Sequence, residues 1–79
     1  MTKLEQILER YPDENVVIAD GFDSAILGIQ EETMRVIYSV RLIIKILKKR
    51  MTEEEAIEYL YFNVLGSHIE NGPIFCTDI

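Results

Sequence analysis

Apolar residues recur along this chain with two different periods, and each change of period marks an element. Leu4, Ile7, Leu8 and Tyr11 fall at i, i+3, i+4 and i+7, which predicts one stripe of an amphipathic helix. Thr2 and Glu5 precede it at capping-box spacing, the hydroxyl placed for an orphan N–H and the carboxylate reaching back. Tyr11-Pro12 ends it, because proline restricts the residue before it and has no N–H to continue the ladder. The β-branched run NVVIAD (15–20) is too short for a helix and predicts a strand. SAILGIQ (24–30) predicts a second, with Ala25, Leu27 and Ile29 on one face, Ile26 on the other, and Gly28 at a bulge or close approach. EETM is a turn and RVIYS (35–39) a third strand, so an antiparallel meander is the economical topology.

The period lengthens again at Ser39, which has the character of an N-cap. Val40, Ile43, Ile44 and Leu47 form a helical stripe, broadened by Leu42 and Ile46, and Lys48, Lys49 and Arg50 suit the negative end of its dipole. A third helix starts at Thr52, with Glu55 completing a second capping box and Met51 placed to staple onto Ala56. Its expected buried face is Ala56, Ile57, Leu60, Tyr61 and Val64, with Gly66 as its stop. HIENG reads as a loop and PIFCT as a last edge strand, where Pro73 is tolerated. The order α-β-β-β-α-α-β predicts an α+β fold in a single domain, residues 1–79. Its small antiparallel sheet would be a three-strand meander plus a C-terminal strand, covered by helices.

Charge changes this picture by its segmentation. The net charge is −6, but residues 1–34 carry −6, residues 35–50 carry +6 and residues 51–79 carry −6, with no Lys or Arg in the last block. The structural expectation is that these blocks neutralise one another across packed elements. An acidic total argues against general nucleic-acid binding, which draws affinity from neutralised phosphates. The single cysteine, Cys76, forms no internal disulfide and suits a reducing compartment. Lys3, Glu5, Glu9 and Arg10 interrupt any early apolar run, and Arg41 and Lys45 interrupt the most apolar window. A cytoplasmic protein with no membrane association is the expectation.

Candidate chemistry centres on ADGFDSAILG (19–28), where Asp20 and Asp23 straddle Gly21 and Phe22. Catalysis would need a pocket and a partner group that drives the two carboxylates apart, with His68 as the available third group. Calcium would need further oxygen ligands at alternating positions, and these are missing. Asp-Gly is instead a strong turn dipeptide, with Gly21 supplying positive φ. Phe22 either folds into the core or is displayed as an aromatic anchor. His68 and Cys76 fall short of a zinc set, so no metal and no cofactor is expected. Asn63, amid apolar neighbours, is expected to support the Asp20–Asp23 turn through its amide.

DGFDSAILG, VIYSV and MTEEEAIEYLYFNVLGSHIENGPIF together resemble a family of small bacteriophage-encoded proteins. That family's pattern has an Asp-Gly-Phe-Asp turn, an Ala-Ile-Ile/Leu-Gly strand and a Val-Tyr approach to a helix. Glu-Glu-Ala-x-Glu-Tyr, Phe-Asn-Val, a glycine and Pro-Ile/Val-Phe follow. The likeness spans residues 16–76, and the chain departs from it at the short EETM and at Ser67-His68. The resemblance implies phage origin without assigned chemistry. By analogy it implies a non-catalytic module that occupies a host protein, such as a defence or transcription component. The residues expected to carry binding are Asp20, Phe22 and Asp23 first, and Glu53, Glu54 and Glu58 second, with Gly21 and Asn63 supporting the turn. The rival readings are a self-associating, dimeric domain and a nucleic-acid-binding accessory that uses basic helix 41–50.

Overall fold

In the computed structural model, residues 2–64 and 72–78 are described. Among these residues, three α-helices, α1 (Lys3–Arg10), α2 (Val40–Leu47) and α3 (Glu53–Tyr59), accompany three strands, β1 (Ile26–Gln30), β2 (Arg35–Ser39) and β3 (Ile74–Cys76). A 3₁₀ turn (Asp23–Ala25) leads into β1, and a π-helical turn (Leu60–Val64) continues α3. The fold is α+β, and its sheet is mixed in the order β1-β2-β3. β1 pairs antiparallel with β2, while β3 returns parallel to β2 along its other side.

The local signals at the helix starts are realised at the atomic level. Thr2 and Thr52 each accept the N–H of the residue three further on, and Glu5 and Glu55 accept the cap N–H in return. Ser39 Oγ accepts the Leu42 N–H at 3.1 Å. The bulge expected near Gly28 is present as a shift of register between Ile26 and Gly28. That shift breaks the strict alternation and splits the expected Ala25–Leu27–Ile29 face: Ala25 and Ile26 are both buried, Ile29 packs against the core and Leu27 is exposed.

The antiparallel meander is only half correct. NVVIAD joins no strand among the described residues; it runs as an unpaired segment with Val16 and Ala19 packed against the core. It is held by a side chain instead of a ladder, the Ala19 N–H donating to the Tyr38 hydroxyl at 2.7 Å. β-branched residues fit a half-buried surface, and an extended segment lying on the core offers that without pairing. The core it covers joins Ile26, Val36 and Tyr38 of the sheet to Ile7, Ile43, Leu47, Ala56 and Leu60 of the helices.

β3 is short and is tethered at both ends. Arg35 Nε donates to the Gly72 carbonyl at 2.6 Å, and the Phe75 ring stacks on Tyr38 with centroids 5.9 Å apart. Beyond the strand, the Asp78 carboxylate accepts from fully buried Ser39 at 2.5 Å and from Arg41 Nε at 3.2 Å. It thereby places a negative charge at the start of α2, whose own first turn contains none.

The Ser39 hydrogen bond is the main reason the Asp78 carboxyl lies below the usual aspartate range, against the opposing effect of its desolvation. A depressed folded pKa stabilises the fold fully above the unfolded value of about 3.9, and the contribution disappears as pH falls through the folded value. Asp78→Asn is therefore expected to flatten the acid limb of a stability-against-pH curve below about pH 4. An unchanged limb would show that the tether is not coupled to folding.

Candidate functional site

The Asp20–Gly21 turn folds as its dipeptide predicts. Phe22 N–H donates to the Ala19 carbonyl at 3.2 Å, with Gly21 at φ 91° in the position that requires it. Asp20 and Asp23 are both exposed, while Phe22 is half-buried and packed against the core. Phe22 is thus not displayed as a free anchor. It forms part of the floor of a cleft of about 410 Å³ between the turn, the end of α2 and α3. Ile46, Leu47 and Tyr59 complete the apolar lining, with Asp20, Lys49 and Arg50 as its charged members. Asp23 does not line this cleft, and His68 lies outside the described residues, as does Gly66.

Tyr59 also lines a second, shallower groove with Met51, Glu55, Glu58, Phe62 and Asn63. Asn63 is exposed, so it is not the buried amide that its apolar neighbours suggested. Glu53, Glu54 and Glu58 are exposed as well, and Glu53 pairs with Lys48 across the α2–α3 corner at 4.0 Å. Of the predicted binding residues, the structure brings Asp20 and Phe22 into one cleft, and Glu58 into the groove that adjoins it at Tyr59.

The largest departure from expectation is on α3. Ala56 and Leu60 are buried, but Ile57 is 38% and Tyr61 62% exposed, and Phe62 is 79% exposed. The side chain of Val64 lies outside the described set. The cause is angular. At about 100° per residue, Ile57 and Tyr59 lie about 80° either side of the Ala56–Leu60 midline. Tyr61 and Phe62 belong to the π-helical turn, whose looser winding carries them further round still, to the outer sector that Glu54 and Glu58 occupy. Exposure rises in the same order, so one narrow seam is buried and two aromatic rings are left on the acidic face. The signal was present in EYLYF, where three rings in four positions span too wide an arc for one buried stripe.

Neutralisation between charge blocks is partial, by one long-range and one local pair. Arg41 pairs with Asp78 and Lys48 with Glu53, whereas Lys45, Lys49 and Arg50 enter no ion pair among the described residues. The nucleic-acid reading needs Arg41, Lys45, Lys48 and Lys49 as one free stripe, and two of these four are engaged. Among the described residues, no group of three His, Cys, Asp or Glu side chains gathers where a metal ion would sit, and Cys76 is half-buried in β3. No helix of the described residues is long and apolar enough to cross a membrane. Comparison with known proteins adds no relative: no family model, no curated protein and no solved structure matches the chain.

Proposed function

We propose that the chain is a non-catalytic protein-binding module that docks the outer face of α3 and of the π-helical turn that continues it, together the α3 face, onto a basic, partly apolar surface of another protein. The observation that carries this is the exposure of Tyr61 and Phe62 beside Glu54 and Glu58. Aromatic rings supply large contact area with few torsions to order, and surrounding carboxylates select a partner of opposite charge. The helix bears four glutamates and no Lys or Arg, so their mutual repulsion has no counter-charge on the same element. Asp20 and Phe22 lie in the neighbouring cleft at Tyr59, beside Lys49 and Arg50, so the turn that also carries Asp23 borders this surface and is a secondary contact. The likeness to small phage proteins makes a host cytoplasmic component, of defence or transcription machinery, the source of the basic surface.

The test compares capture from host lysate by the wild type and by Tyr61→Ser/Phe62→Ser, each first shown to be folded. A specific partner held by the wild type, released by raised salt and lost by the folded variant is the expected result. Retention of that partner by the variant, or no partner for either protein, would overturn the proposal.

A further inference from the structure

The chain itself carries a surface of the kind that its α3 face requires. Lys49 and Arg50 stand at the cleft lined by Phe22, Ile46 and Leu47, against one carboxylate, Asp20, and neither enters an ion pair among the described residues, so the cleft is net basic. The acidic face of α3 adjoins that cleft, since Tyr59 lines both and Lys48–Glu53 bridges the corner between them. Two faces of opposite sign therefore sit side by side, each pairing apolar area with charges that the monomer leaves mostly uncompensated.

We infer that the first partner of the α3 face is a second copy of this chain. In a two-fold dimer, Glu54, Glu58, Tyr61 and Phe62 of each copy seat on the Lys49–Arg50 cleft of the other. Adjacency is what makes two-fold pairing efficient, because a self-complementary patch satisfies both of its halves in one contact. The inference rests on the reading of the outer α3 face as a docking surface and adds regulation to it. Dimerisation covers the face, so another basic partner must compete with the second copy, and free binding capacity falls as protein concentration rises.

Charge exchange between two variants tests this by sedimentation or by light scattering on a sizing column. The wild type, at about 1 mM, is expected at twice its 9.2 kDa chain mass. Lys49→Glu/Arg50→Glu and Glu54→Lys/Glu58→Lys should each be folded monomers, with self-association weakened about a hundredfold or more by facing like charges. Mixed together, the two variants should restore a dimer of one copy of each, because both halves of the contact are again opposite in sign. A monomeric wild type, reversed variants that dimerise as well as the wild type, or a mixture that stays monomeric would each overturn the inference. A monomeric wild type that still captures a basic partner through Tyr61 and Phe62 would overturn self-association alone. A dimer that captures nothing would confine the α3 face to self-association.

Discussion

Truncating Leu60 to alanine is expected to lower the unfolding free energy by about 2–5 kcal/mol, while truncating its neighbour Tyr61 changes it by no more than about 0.5 kcal/mol. Leu60 is 1% exposed and closes the core between α3 and the other helices, so its removal leaves a cavity that the surrounding side chains fill only in part. Native domains hold only about 5–15 kcal/mol in total, and one this size lies toward the lower end, so the loss consumes a large share of the stability. Tyr61 is 62% exposed and lies outside the described core cluster. Chemical denaturation of the two variants reads the difference as a shift in midpoint at constant slope. Comparable losses at both positions would mean that the buried face of the helix is the wide stripe the periodicity predicts, with no aromatic face left for docking.

Tyr38→Phe is the second large effect, expected at about 1–3 kcal/mol from the loss of one oxygen atom. Tyr38 is fully buried in β2, and its hydroxyl is the acceptor for the Ala19 N–H, which belongs to a segment that pairs with no strand among the described residues. Burial, the largest influence, pushes the Tyr38 phenol above its ordinary value despite the opposing Ala19 N–H, and the nearby Asp23 charge adds to the rise. Phenylalanine retains the ring and its stacking on Phe75 but leaves a part-buried amide without its partner. Faster hydrogen exchange at Ala19 in the variant would localise the loss to that amide. A variant as stable as the wild type would show that packing of Val16 and Ala19 alone holds the segment.

What the sequence shows of this fold divides by the range of the interaction. The capping boxes at Thr2 and Thr52, the Ser39 cap and the Gly21 turn are legible because each depends on residues within one turn of chain. The edge strand at Ile74–Cys76 is legible, but its parallel pairing with β2 is not, since that is decided by Arg35, Ser39 and Arg41 from far along the chain. NVVIAD misleads because β-branched composition reports half-burial and not pairing. The candidate site divides the same way. Asp20 and Phe22 stand out in the sequence as a motif, whereas their cleft depends on where α2 ends and on Tyr59 across the corner. Ile57 and Tyr61 fit a buried stripe at helical spacing, and choosing between that stripe and the Ala56–Leu60 seam needs the third dimension. The −6, +6, −6 charge pattern is plain in the sequence. That it closes within the chain only at Arg41–Asp78 and Lys48–Glu53, among the described residues, is a fact of the fold.

Docking through this face requires Tyr61 and Phe62 to face solvent in the free chain, and solvent paramagnetic relaxation measures this directly. With a soluble gadolinium chelate added to dilute, isotope-labelled protein, side-chain signals of Phe62 and Tyr61 should broaden most. Ile57 should broaden less, and Leu60 and Ala56 should stay sharp. Protection of Tyr61 and Phe62 to the level of Leu60 would place them in a core and contradict the docking face.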